Sequence, residues 1–148
     1  MATLEVTLRE VTAETVRLIC DLDSGPGGDR FVAPNAVSIA QAYFEPSAWF
    51  RAIYAGDEPV GFVMLEDDVE NSEYTLWRLM IDHRHQRKGY GRRAVELVID
   101  HVAGQPGATE LLTSYVPGER GPAEFYKGLG FTPTGEVEDG EVEVRLEL

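Results

Sequence analysis

Hydrophobic and polar positions alternate at the start of the chain, with Leu4, Val6 and Leu8 set against Glu5, Thr7 and Arg9. A period of two predicts a half-exposed first strand over residues 4–11. Thr12-x-x-Thr15 then opens a helix carried by Val16, Leu18, Ile19 and Leu22. A turn-rich stretch, DSGPGGDR over 23–30, is long enough to help cover a pocket. A second helix is expected within 31–45, through Val37, Ile39, Ala40, Ala42, Tyr43 and Phe44. Pro34 suits its first turn and Pro46 ends it.

Strand-like runs follow at 49–55 and 60–65, joined by a hairpin turn at Gly56-Asp57-Glu58-Pro59. Residues 66–73 (EDDVENSE) read as an acidic polar connection. Tyr74, Leu76, Trp77, Leu79, Met80 and Ile81 then make a strand rich in β-formers. Ala94, Val95, Leu97, Val98, Ile99 and Val102 recur with a period near 3.6 and predict an amphipathic helix. A strand at 110–116, a short helix at 122–129 stopped by Gly130, and a hairpin from 131–135 and 141–146 complete the chain.

The order is β-α-α-β-β-β-α-β-α-β-β. It predicts an α/β (α+β) fold: a mixed, mostly antiparallel sheet with a parallel segment in the middle, flanked by about four helices. No linker interrupts the pattern, so residues 1–148 are expected to form a single domain.

Between the central strand and its helix lies HRHQRKGYGRR. Glycines at 89 and 91 let the backbone turn sharply and approach a ligand. The first amides of the helix lack internal partners and attract anions. Arg84, Arg87, Lys88, Arg92 and Arg93 are five of the chain's 13 Lys and Arg residues, yet they fall within ten positions. Two readings fit this local pattern: a phosphate or pyrophosphate site, or a glycine turn beside a solvated basic face. Neither GxxxxGK[ST] nor GxGxxG is present.

Charge narrows the partners. With 13 basic against 26 acidic residues the formal net charge is -13. That opposes nucleic acid as a partner and leans toward cationic small molecules. No apolar run approaches the ~18 residues of a membrane span, and the N-terminus lacks a signal-peptide block. No membrane association and a cytoplasmic location are therefore expected. Cys20, the single cysteine, reads as a buried inert thiol. No clustered Cys/His set predicts a metal.

Gln86-x-x-Gly89-x-Gly91 resembles the central [Q/R]-x-x-G-x-[G/A] motif of the GNAT N-acetyltransferases. Ala123-Glu124-Phe125-Tyr126-Lys127-Gly128-Leu129-Gly130-Phe131 resembles the A-x-x-FY-x-x-x-GF signature of the same superfamily, and the element order matches its layout. The resemblance implies acetyl-coenzyme A as co-substrate. It assigns Gln86, Arg87, Lys88, Gly89, Tyr90, Gly91 and Arg92 to the pyrophosphate, and the backbone of Leu79, Met80 and Ile81 to the pantetheine arm. It makes Tyr126 the proton donor to the leaving thiolate, where packing alone would make it a core aromatic. The preceding loop, GERGP, carries no asparagine and places Pro122 where many members have alanine. Backbone groups or Arg120 are the expected substitutes.

Acetyl transfer to an amine needs a neutral nucleophile, although a free alkylammonium has a pKa of about 10.4. It also needs a proton acceptor and donors aimed at the developing oxyanion. Glu66, Glu73 and Glu119 are candidate bases near strand ends, and each also reads as a surface carboxylate. His83 and His85 are expected on the coenzyme side or exposed. WRLMIDHRHQRKGYGRR, the FY helix and the closing TGEVEDGEV hairpin are most similar to bacterial spermine/spermidine-type acetyltransferases. Glu45, Glu66, Asp67, Asp68, Glu70 and Glu73 would then bind a cationic acceptor. An antibiotic amine, an amino acid or a protein N-terminus are the other acceptors, and an acetyl-coenzyme A-binding sensor without turnover is the other class. The last strands could support a homodimer.

Overall fold

The computed structural model of the chain describes residues 4–26, 33–118 and 122–148. Its strands are β1 (Val6–Arg9), β2 (Ala48–Ala55), β3 (Glu58–Asp68), β4 (Glu73–Ile81), β5 (Glu110–Tyr115), β6 (Thr132–Glu138) and β7 (Glu141–Glu147). Its helices are α1 (Val16–Cys20), α2 (Asn35–Ala42), α3 (Tyr90–Ala103) and α4 (Ala123–Gly128). The order is the one the hydrophobic pattern predicts. Among the described residues the strands form one sheet in the order β1-β2-β3-β4-β5-β7-β6. Every neighbouring pair is antiparallel except β4 and β5.

Each face of the sheet carries its own apolar layer. Ala94, Val95, Val98 and Val102 of α3 pack on Ile53, Val63, Leu65, Leu76 and Leu111, together with Tyr126 and Phe131. Opposite, Ile19 and Leu22 cover Ala52, Tyr54, Phe62, Met64 and Met80, with Ile39 and Ala42 of α2 beside them. The 3.6-residue stripe of α3 and the two-residue alternation of β2 and β3 make both layers possible.

Four expectations are corrected. Half of the acidic stretch 66–73 is strand: β3 runs to Asp68 and β4 begins at Glu73, pairing Glu66 with Thr75, Asp67 with Tyr74 and Asp68 with Glu73, with a turn at 69–72. Ladder pairing here outweighs the poor strand propensity of acidic residues. The second helix starts only at Asn35, after Pro34. It ends before Tyr43 and Phe44, which lie 85% and 81% exposed rather than in the helical stripe. The first helix stops at Cys20, with Asp21 as its C-terminal cap, instead of reaching Leu22. Cys20 is consequently half-buried at a helix end and borders a cavity. Residues 27–30 of the turn-rich stretch, and Glu119 and Arg120, lie outside the described residues.

Candidate active site

The site begins with a defect in the sheet. β4 pairs in parallel with β5 only at Thr75↔Leu112 and Leu76↔Thr113. β4 continues to Ile81 and β5 to Tyr115, so the strands part after Leu76. On the β3 side the register slips at the same place: Leu65 opposes Leu76, but Met64 opposes Arg78. Trp77 is the extra residue of a β-bulge. Trp77 packs in the α1/α2 layer, and Arg78 also turns to α2, donating to Ser38 Oγ (3.0 Å) and Gln41 Oε1 (2.7 Å). Burial pulls the Arg78 pKa down, with the Glu141 carboxylate opposing. The result is a strand edge, Trp77 to Ile81, with no neighbour on the β5 side among the described residues. Leu79, Met80 and Ile81 lie on it.

Tyr126 of α4 sits beneath the split. Its ring stacks on Tyr115 at 6.1 Å and meets Phe125 and Phe131 edge-on at 5.2 and 5.4 Å. The Thr113 hydroxyl donates to Leu76 O at 2.9 Å, the last paired position of the seam. Burial pushes the Tyr126 hydroxyl up to about 12, against a smaller opposing effect of the Thr113 side chain. A phenol held there keeps its proton at neutral pH and can only give it up to a strong base.

The glycine turn closes one side. Arg87 (φ 64°) and Gly89 (φ 84°) are both left-handed, and Gly89 caps α3. Among the described residues, none of the six consecutive amides from Arg87 to Arg92 donates to a protein acceptor. Five of them, all but that of Lys88, belong to residues that line a cavity of about 370 Å³, together with Gln86, His85, Ile81 and Phe125. Free amides, a helix N-terminus and two arginines suit a pyrophosphate. Lys88 is exposed and does not line the cavity. The Gln86 side chain spends its donor on Ser24 O (3.2 Å) and Ile81 O (3.0 Å). Phe125, which packing alone explains in the sequence, is a wall of the cavity. His83 is exposed, and His85 Nε2 lies 3.4 Å from Glu58 Oε1.

The acidic residues divide between the two faces. Leu65 belongs to the α3 layer and Met64 to the α2 layer, so Glu66 and Asp68 follow Met64 onto the α2 face. Glu73 joins them as the register partner of Asp68. Burial raises the Glu66 pKa, and the carboxylates of Glu45, Asp68 and Glu73 raise it further. Asp67 is withdrawn from the expected cluster. It faces α3, 3.1 Å from His101 Nε2, and accepts from Gln105 Nε2 at 3.0 Å. Glu70 lies in the exposed turn beyond β3.

Nothing in the sequence marks the bulge at Trp77, the anchored Arg78, or Asp82, which is 1% exposed at the exit of β4. Among the described residues no group of three or more His, Cys, Asp or Glu could hold a metal ion, and no helix is long and apolar enough to cross a membrane.

Known proteins share this fold. Residues 17–131 match the model of the acetyltransferase (GNAT) family. The chain is 26% identical to spermine/spermidine N(1)-acetyltransferase of Bacillus subtilis (strain 168), over 98% of this chain and 100% of that one. An acetyltransferase from Thermus thermophilus superposes with a TM-score of 0.73 at 20% identity, covering all of both chains. A Bacillus subtilis acetyltransferase solved in complex with CoA superposes at 0.69 with 17% identity, covering 98% and 99%. These superpositions bear on the fold.

Proposed function

This chain belongs to the acetyltransferase (GNAT) family, and we propose that the amine it acetylates from acetyl-coenzyme A is a small polycation of the polyamine class. One observation carries the choice of acceptor. The carboxylates of Glu45, Glu66, Asp68 and Glu73 gather on the face of β4 opposite the coenzyme cavity, closely enough to raise the Glu66 pKa. Such a face draws a polycation and holds it by several ion pairs at once. The sequence relation to a spermine/spermidine acetyltransferase supports the same acceptor.

In this reading the two substrates approach β4 from its two faces. The amides of Arg87 to Arg92 take the pyrophosphate, with the Arg87 and Arg92 side chains beside it. The free edge at Leu79, Met80 and Ile81 pairs with the amide groups of the pantetheine arm, as an added strand would. That edge also offers amide donors to the thioester carbonyl. A neutral amine nitrogen attacks the carbonyl carbon, the carbon–sulfur bond breaks, and the electron pair leaves on sulfur. The proton released by nitrogen passes to Glu66, directly or through water, with Glu73 adjoining. Desolvation suits Glu66 to this, because a raised carboxylate is the stronger base. Tyr126, held protonated by burial, donates a hydrogen bond rather than its proton to the departing sulfur, because a thiolate with an ordinary pKa of about 8.5 is too weak a base to deprotonate it.

The test is thiol release from acetyl-coenzyme A against spermidine, spermine, diamines, amino acids, aminoglycosides and a peptide. Selective turnover of polyamines upholds the acidic-face acceptor. Turnover of another class discards it and keeps the transferase. Tight coenzyme binding with no turnover of any amine makes the chain a coenzyme-binding sensor.

A further inference from the structure

Between the two substrate faces lies a buried carboxylate that lines neither cavity. Asp82 directly follows β4 and is 1% exposed. Its Oδ1 accepts the backbone N–H of Asp23 at 2.9 Å. Its Oδ2 accepts the backbone N–H of Arg84 at 3.1 Å and Arg84 Nε at 2.8 Å. One oxygen thus faces the segment that leaves α1, and the other faces the short 3-10 turn (His83–His85) that leads into the glycine turn.

The two segments are joined around this pivot. The His83 amide donates back to Asp23 O at 2.8 Å. Gln86, the first residue of the glycine motif, donates to Ser24 O at 3.2 Å. Gly25 has φ +95°, and a Cβ there would lie 3.0 Å from His83 Cβ. On the far side, Asp23 and Ser24 border a second cavity of about 410 Å³, lined also by Asn35 and Met80. Met80 and Ile81, neighbours on β4, line different cavities, one on each face.

We propose that Asp82 is a positioning residue: its carboxylate locks the segment 21–26 on the acceptor side to the coenzyme turn, so that coenzyme binding orders both. The inference rests on the coenzyme assignment of the turn and not on the identity of the amine. A pyrophosphate that engages the amides of Arg87 to Arg92 fixes the backbone from Gln86 onward. Gln86, His83 and Asp82 are hydrogen-bonded to Asp23 and Ser24, so that segment loses freedom with it. Coupling of this kind needs no change of shape.

Asparagine at 82 makes a sharp test. A carboxylate offers acceptors on both oxygens, whereas an amide keeps one acceptor and presents N–H donors at the other position. Asp82→Asn can therefore satisfy Asp23 or Arg84, but not both. The readout is backbone hydrogen exchange of the full chain, with and without coenzyme A. In the wild type, coenzyme A slows exchange about fivefold or more at both 86–93 and 20–26. In Asp82→Asn the turn is still protected, but 20–26 exchanges at the same rate with and without coenzyme A. A carboxylate with only a structural role would change exchange equally in both states. Gly25→Val, which pushes the segment off His83 and leaves Asp82 intact, serves where Asp82→Asn does not fold, and it too loses loop protection.

Protection of the wild-type turn without protection of 20–26 overturns the proposal, as does loop protection that survives in the variants. If coenzyme A leaves the wild-type turn itself unprotected, the assignment of that turn fails, and the proposal fails with it.

Discussion

The glycine turn and the acidic face both concentrate charge beside β4, but they are made of different material. At the turn the attraction comes from backbone: six amides aligned by two left-handed residues, Arg87 and Gly89, at the start of a 14-residue helix. On the acidic face it comes from side chains on β3, β4 and the loop before β2, and which carboxylates share the proposed amine-binding face depends on register. A backbone-built site tolerates changes in the side chains around it and is sensitive to φ. A side-chain site is sensitive to a one-residue slip, which would exchange the faces of Glu66 and Asp67. Coenzyme binding and amine selection should therefore respond to different mutations.

The largest separation is expected at Tyr126, which the proposed mechanism assigns to the chemistry rather than to either surface. Tyr126→Phe keeps the ring that packs on Tyr115, Phe125 and Phe131. It should lower kcat by about 10²-fold or more, the usual range for losing a hydrogen-bond donor to developing charge, while coenzyme A affinity in calorimetry stays within about threefold. Unchanged turnover removes Tyr126 from the mechanism. The next effect is on the turn. A Cβ added at Gly89 would meet no atom within 4 Å, so Gly89→Val acts through the φ of +84° alone. Forcing a β-branched residue there costs on the order of 1–3 kcal/mol. The KM for acetyl-coenzyme A should rise roughly tenfold or more, while selectivity among amines is unchanged.

This division also explains what could be read from the sequence. The element order was legible because each element keeps its own period, from the alternation of β1 to the stripe Ala94, Val95, Val98, Val102 of α3. The turn was legible because glycine at a left-handed position leaves a mark in the sequence. The seam was not. Trp77 looks like any apolar strand residue, and only the paired registers of β3 and β5 reveal that it bulges and that β4 then runs free. Asp67 and Glu66 are adjacent acids that nothing local distinguishes. His101 and Gln105, 34 and 38 residues further on, take Asp67 to the other face. Asp82 is likewise defined by Asp23, 59 residues away in sequence.

Glu66 and Asp67 give the sharpest form of the comparison. Glu66→Gln should cut kcat/KM for the amine by about 10²-fold, the low end for a general base, and should abolish the acidic limb of its pH profile. In the wild type that limb lies above the ordinary glutamate range, because burial and the neighbouring carboxylates raise Glu66. The same shift has an opposite consequence for stability. A carboxylate whose folded pKa is raised stabilises the fold below its unfolded pKa, and that contribution is lost as pH rises through the folded pKa. Glu66→Gln should therefore raise Tm at pH 7 and leave it nearly unchanged near pH 3. A variant that is less active and no more stable at pH 7 contradicts the crowding of carboxylates at this site.

Asp67→Asn should behave in the reverse sense, with the smallest effect on activity. Asp67 accepts from Gln105 and pairs with His101, whose ring stacks on Trp49 at 4.3 Å. It ties the β3–β4 hairpin to the end of α3, on the face away from the proposed amine site. Weakening those hydrogen bonds should cost about 1–2 kcal/mol in chemical denaturation, with the amine KM within about twofold of the wild type. If Asp67→Asn raises the amine KM as far as Glu66→Gln does, the acceptor is not confined to the α2 face. Residue 67, and with it the register of β3 on β4, would then have to be reassigned to the amine site.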